Sequence, residues 1–426
     1  MGGRRTGLAL ILAVALVAAC GTATSGSPSV APPTSTPVST ATASPPVATA
    51  SQPLPSSSAL VSPQPTPSGG SANGWTTPVL IDPGSQCSTP VAAIDGSSRD
   101  HVADWCGDSV HYMASGPAGW STPAVFDHPA GLVDEDPQIA VDGTKVYVAY
   151  SQVMPLEGCG GGADQGVGVY VRTRALPDGA WSVATRLGQA GDLLQSFRVV
   201  NGTSYAVVLG GGHNEGTVLE VSGPGGLHRY AVAGQNASLR VGDDGRPRIA
   251  YESYGDGRIG FATFTGTGLS ASLIPDPPGG IGDSSNFDPH LILDGSDHAH
   301  VIWTVAPTGG CALPEGSLQD GTWYATNASG SWQISRLTIE TGETSITADA
   351  KHGFLYALVD GADGMGFFTN QLNGNWGRTT ILPDAQDSPS IHFDPVSGSL
   401  LVVFSGSPTA SDPAGIYAMT LAAQQQ

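Results

Sequence analysis

One supersecondary unit recurs seven times between Gly74 and the C-terminus, and this recurrence limits the chain to very few folds. Its marker is a Gly-(x)-Trp that opens a short strand, at Gly74-Trp75, Gly119-Trp120, Gly179-Ala180-Trp181, Gly330-Ser331-Trp332 and Gly374-Asn375-Trp376. Two weaker copies begin at Leu227 and Leu269, where the Trp is lost. Markers lie 45 residues apart from Trp75 to Trp120 and 44 from Trp332 to Trp376. A period of roughly 40–50 residues, each holding four short strands, predicts an all-β chain of β-propeller blades.

One period shows how. Residues 137–142, 145–150, 167–174 and 180–186 alternate in polarity or are rich in β-branched and aromatic side chains, and turn residues separate them. These are antiparallel strands a, b, c and d, counted from the axis outward. The a–b hairpin recurs as Asp95-Gly96 with His101 and Trp105, as Asp243-Asp244-Gly245 with Tyr251, and as Asp294-Gly295 with His300 and Trp303. Asp and Gly accept the positive φ of a tight hairpin. The pair His298 and His300 therefore reads as a repeat of the His101 position, and no metal is expected there. Counting from Gly74 gives a strand d, six complete units, and finally a, b and c (390–394, 399–404 and 415–421). The two fragments together make one blade, closing the ring and hiding two sheet edges. Seven four-stranded blades are expected, with six or eight still compatible with the worn third and fourth copies.

Residues 1–73 are of another kind. Arg4 and Arg5, the apolar run Leu8 to Val17 and the small Ala18-Ala19 describe an export signal over 1–19. Val17-Ala18-Ala19-Cys20 resembles a lipobox, which implies diacylglycerol on the Cys20 sulfur. Gly21 to Asn73 carries no charge and is dominated by Ser, Thr, Pro and Ala. Too few large apolar groups are present to offset ordering entropy, so 20–73 is expected to be a disordered tether. The expected protein is exported, held to a bacterial membrane by lipid alone, with a propeller at 74–426 facing the cell exterior or envelope space. All 36 acidic residues lie beyond residue 73, and the formal net charge is −20. Such a surface excludes nucleic acid and anionic membranes as partners and favours a soluble monomer.

Candidate sites gather on one face. The two long b–c loops, 152–166 and 306–321, are Gly-rich and hold Cys159 and Cys311. With Cys20 lipidated, four cysteines remain, enough for two disulfides in an exported chain. Cys87 and Cys106 flank one hairpin pair, which leaves Cys159 with Cys311 as a strap over the channel mouth; crossed or reduced pairs remain open. Acids precede several a strands: Asp134, Glu135, Asp136, Asp288, Glu340, Glu343 and Asp387. Converging carboxylates are candidates for ligand binding, for Ca²⁺ or for acid–base chemistry (Asp136, Asp288, Glu343 and Asp387 if the chain is an enzyme). The plainer reading is that Asp136-Pro137 and Asp288-Pro289 cap strand starts. No cofactor is expected. All eight tryptophans are absorbed by the blades, so none is left as a sugar-stacking platform.

Asp320-Gly321-Thr322-Trp323 and Asp178-Gly179-Ala180-Trp181 are degenerate forms of the Asp-box, Ser-x-Asp-x-Gly-x-Thr-Trp. Over residues 74–422 the repeat resembles the sialidase-type, Asp-box propellers. That resemblance implies the fold, and as an activity an exo-acting glycoside hydrolase with three arginines on a substrate carboxylate, a Tyr–Glu nucleophile pair and an acid/base Asp. The chain departs from this pattern. Arg198 and Arg240 lie on a strands, but a third arginine is missing, and Tyr251-Glu252 are neighbours on one strand that point to opposite faces. The leading expectation is a non-catalytic surface propeller that recognises a glycan or a protein; a sialidase-like hydrolase is the alternative.

Overall fold

The computed structural model describes residues 74–155, 165–211, 216–254, 257–278, 284–307, 320–371, 376–384 and 386–423. The export signal, Cys20, the tether and the proposed Cys159–Cys311 strap lie outside them. The described residues form seven four-stranded antiparallel sheets. Six blades use four consecutive strands. In the seventh, Val79–Pro83 pairs with Gly415–Leu421 beside Leu400–Gly406 and Asp387–Phe393, so the N-terminal strand closes the ring as the repeat count expects. Trp75 bridges Leu421, and Thr76 N donates to Thr420 O at 2.8 Å.

Strand a of each blade lines the axis: Cys87–Ile94, Val133–Asp142, Leu193–Val200, Gly234–Val241, Ser284–Leu293, Thr344–Asp349 and Asp387–Phe393. Each is also a sheet edge, so alternate N–H groups have no ladder partner. Hydroxyls of the preceding blade accept from several of them. Leu239 N donates to Ser196 Oγ (3.2 Å), Leu291 N to Ser238 Oγ (3.1 Å) and Ile391 N to Ser345 Oγ (3.1 Å). Phe393 N donates to Thr347 Oγ1 (3.2 Å), and Leu194 N to Ser151 Oγ on strand b of blade 2 (2.8 Å).

Five inner strands carry a left-handed residue near the channel mouth: Thr89 (φ 47°), Asp136 (50°), Asn236 (48°), Asp288 (47°) and Ser388 (49°). The ladder slips register at each. Proline follows four of them, and because it has no N–H it leaves no donor orphaned at the edge. This corrects the strand-cap reading. Asp136 and Asp288 form β-bulges inside strands that have already begun, at Val133 and Ser284.

The Trp markers also serve differently from expectation. Strand d of blade 2 is Thr185–Ala190, so Trp181 precedes it rather than opening it. The indoles wedge edge-on into the preceding blade. Ring centroids lie 5.1 Å apart for Trp75 and Phe367, 4.8 Å for Trp181 and Tyr112, 5.3 Å for Trp332 and Phe261, and 5.2 Å for Trp376 and Tyr324. In blades 1 and 5 the tyrosine is tied to a buried imidazole. His101 pairs with Tyr112 Oη (2.6 Å) and Asp95 (3.2 Å), and His300 with Tyr324 Oη (2.7 Å) and Asp294 (3.4 Å). Both hairpin carboxylates also accept two backbone N–H groups. The left-handed residue there is Ser98 (φ 61°) or Asp297 (φ 63°), not the glycine of Asp-Gly.

Trp75 is 2% exposed and closes the ring against blade 6. Trp75→Ala is expected to cost about 3–5 kcal/mol of unfolding free energy in urea. Truncating Val183, which is 82% exposed, should shift it by less than about 0.5 kcal/mol.

Candidate functional site

Inner strands of all seven blades surround a central cavity of about 800 Å³. In an antiparallel meander the d–a connections and b–c turns share one face, and the five bulges stand at that mouth. Their side chains, Thr89, Asp136, Asn236, Asp288 and Ser388, line the cavity together with Glu343. Asp136 and Asp288 are solvent-accessible, yet protein crowds them enough that burial raises both carboxyls above their ordinary value. They come from blades 2 and 5, across the ring from one another.

Of the nominated acids, Asp136, Asp288 and Glu343 therefore meet at the channel, whereas the others do not line it. Asp134 is fully buried within blade 2, where Gln152 Nε2 donates to it at 2.9 Å; burial pushes its carboxyl up to about 6. Glu135 does not line the cavity. Asp387 is exposed, and its backbone carbonyl accepts from Ser405 Oγ at 3.0 Å. Glu340 accepts from Arg378 Nη2 at 2.5 Å instead of facing the axis. Among the disulfides, Cys87–Cys106 is formed as expected, 19 residues apart in sequence.

Deeper in the channel the character reverses. Arg198 and Arg240, on the inner strands of blades 3 and 4, line the cavity with His290 and His392 of blades 5 and 7. Arg198 Nη1 donates to Phe197 O (2.6 Å) and Arg240 Nη1 to Leu239 O (2.9 Å). Neither guanidinium pairs with a carboxylate among the described residues. Burial lowers Arg198 to about 10 and His290 to about 4; burial, with the charge of Arg198 added, takes His392 to about 3. Both imidazoles are neutral at pH 7, and His392 Nε2 shares a hydrogen bond with Ser390 Oγ at 2.7 Å.

One polar group at the mouth, Asn236, escaped the sequence reading. Asn236 Nδ2 donates to Glu252 at 2.8 Å; burial, with Asp288 nearby, holds Glu252 above its ordinary value. Tyr251 meanwhile packs in the hydrophobic core of blades 3 and 4, so the two neighbours do part to opposite faces. Gln138, Ser196 and Ser238 also line the wall, while no Trp, Tyr or Phe does among the described residues. The site offers two unpaired cations below a ring of hydroxyl, amide and carboxyl groups. Such an arrangement can hold an anionic group at depth and a polyhydroxylated body above it.

No protein-family model matches the chain, and no curated protein matches it by sequence. Solved structures do. A protein of unknown function from Dyadobacter fermentans aligns at TM-score 0.53 and 11% identity, over 83% of this chain and 100% of that one. An ulvan lyase with saccharide bound aligns at TM-score 0.52 and 11% identity, over 80% and 95%. The NanB sialidase of Streptococcus pneumoniae aligns at TM-score 0.43 and 10% identity, over 83% and 71%. The likeness is one of fold.

The channel imidazoles set a pH dependence. In the unfolded chain histidine takes up a proton below about pH 6.5, whereas His290 and His392 resist until about 4 and 3. Their contribution to stability is complete above pH 6.5 and is lost as pH falls toward those values. The double variant His290→Gln/His392→Gln should therefore lose less unfolding free energy than the native chain between pH 7.5 and 5, measured by urea titration at each pH. Buried carboxyls with raised values, such as Asp134, act in the opposite sense but are common to both proteins.

Proposed function

We propose that this chain is an exported, lipid-anchored recognition module whose central channel binds the carboxylate-bearing end of an acidic saccharide without transforming it. The supporting observation is the pair Arg198 and Arg240, two guanidinium groups on neighbouring inner strands that lack a carboxylate partner among the described residues. A half-buried cation without a counter-charge is costly, and a ligand carboxylate relieves that cost in bidentate geometry. Sugar hydroxyls both donate and accept, as do the side chains of Ser196, Ser238, Gln138 and Asn236 around them. Without an aromatic platform in the described wall, affinity rests on these polar contacts. The raised carboxyls of Asp136 and Asp288 temper the repulsion an acidic ligand would meet at the mouth.

A second reading, a glycoside hydrolase, has one observation in its favour. Both carboxyls are held above their ordinary values, Asp288 by burial and Glu252 by burial with the charge of Asp288 added, as an acid/base pair requires. Calorimetric titration with uronic-acid oligosaccharides, beside neutral ones of equal length, separates the readings. The expected outcome is binding of the acidic series alone, weakened about 10- to 100-fold by Arg198→Gln or Arg240→Gln. Equal affinity for neutral sugars, or indifference to both substitutions, would sink the proposal. Product release that Asp288→Asn and Glu252→Gln abolish would establish the hydrolase.

A further inference from the structure

Five blades carry a bulge on the inner strand, and one residue of strand b stands across from each bulge. The flanking ladder pairs identify it. In blade 2, Glu135 pairs with Ser151 and Gln138 with Ala149, which leaves Tyr150. The same position holds Tyr251, Trp303 and Phe404 in blades 4, 5 and 7. All four are aromatic, are at most 3% exposed and pack against the preceding blade. Blade 1 breaks the series. Between its pairs Ser88 with Trp105 and Val91 with Ala103 stands Asp104. The blade that precedes it around the ring is blade 7, so this aspartate lies at the seam of closure.

Asp104 is 0% exposed, and neither of its carboxylate oxygens has a hydrogen-bond partner on another residue. From blade 7 the closing strand Val79–Pro83 brings Asp82, itself 3% exposed. One oxygen of Asp82 lies within 4.8 Å of an Asp104 oxygen and of Cys87 Sγ. Asp82 is also bonded to His111 Nδ1 at 2.6 Å. His111 stands opposite Asp104 across the ladder and is the other titratable side chain on this face; Cys87 and Cys106 are joined in the disulfide and do not titrate. Around them the core between the two blades is apolar, with Ile81, Leu401, Val403, Ile416 and Ala418. Asp104 therefore faces a second acid rather than a counter-charge, in surroundings that favour its neutral form. Burial, with the charge of Asp82 added, raises its carboxyl to about 8.

We propose that Asp104 is a proton-operated latch on the ring seam: as a carboxylic acid it seats the closing strand of blade 7, and loss of its proton loosens that strand. The proton passes to solvent and leaves two carboxylates within 4.8 Å of one another in an apolar wall. The closing strand is suited to respond. It is five residues long, and its ladder slips register between Leu80 and Asp82. Short, irregular pairing of this kind opens at a lower free energy than the core of a sheet. An unfolded aspartate releases its proton near pH 3.9, whereas Asp104 holds it to about 8, so folding takes up one proton in between. Its contribution to stability is complete below about pH 4, is lost as pH rises to about 8 and stays level beyond. The ring is thus held more tightly in acid than in alkali.

The test compares the full chain, its disulfide intact, with Asp104→Asn, which keeps the shape of the side chain and cannot ionise. Urea titrations at a series of pH values give a folding constant for each. The ratio of native to variant constant should fall about tenfold per pH unit between about pH 5 and 7, and level off above about pH 9. Asp82 and His111 are present in both chains, so the ratio isolates Asp104. A second readout needs no variant. Amide hydrogen exchange in the closing strand of the native chain, corrected for the intrinsic rate, should show protection falling over the same range. A ratio that does not change with pH would overturn the proposal. So would closing-strand protection that stays level from about pH 5 to 8.

Discussion

Seven sheets present an unpaired edge to a common axis, and the rest of the structure depends on how those edges are satisfied. A free strand edge in a protein interior leaves N–H and C=O groups without partners, each expensive to bury. Two devices deal with this here. Ser196, Ser238, Ser345 and Thr347 accept from backbone N–H groups of the next blade, stitching the inner strands into a ring. Near the mouth, Pro90, Pro137, Pro289 and Pro389 remove the donor altogether, each behind a residue in the left-handed conformation. That conformation costs an L-residue about 1–2 kcal/mol, most for a β-branched one such as Thr89. The strain is borne at five mouth positions, and the side chains there are the ones that line the entrance.

The ring was legible in the sequence because its causes are local and repeated. The Gly-Trp period, the alternating runs and the Asp-bearing hairpins each report a short-range requirement that recurs from blade to blade. Closure was legible by counting, since an orphan strand d at Val79–Pro83 had to meet an incomplete sheet at the other end. Strand d itself was placed a few residues early, because an indole that wedges into the preceding blade looks in sequence like the first residue of a strand.

The channel was less legible, for a reason that belongs to bulges. Asp-Pro reads equally well as a strand cap or a bulge, and the two differ by one residue of register. A slip of one sends every following side chain to the other face. Whether His290 and His392 reach the axis, with Arg198 and Arg240, depends on that slip in each blade. Without it, Asp134 is as plausible a mouth residue as Asp136, yet one is sealed within blade 2 and the other faces the cavity.

Charge is thus layered along the axis, with carboxyl, amide and hydroxyl groups at the mouth and guanidinium and imidazole groups below. The measurement that tests this most directly is a crystal structure of the protein soaked with a uronic-acid disaccharide. The account predicts the sugar carboxylate seated against Arg198 and Arg240, with its hydroxyls on the serine and asparagine side chains above. A disaccharide found on the outer wall of the ring, with the two guanidinium groups still unpaired, would contradict it.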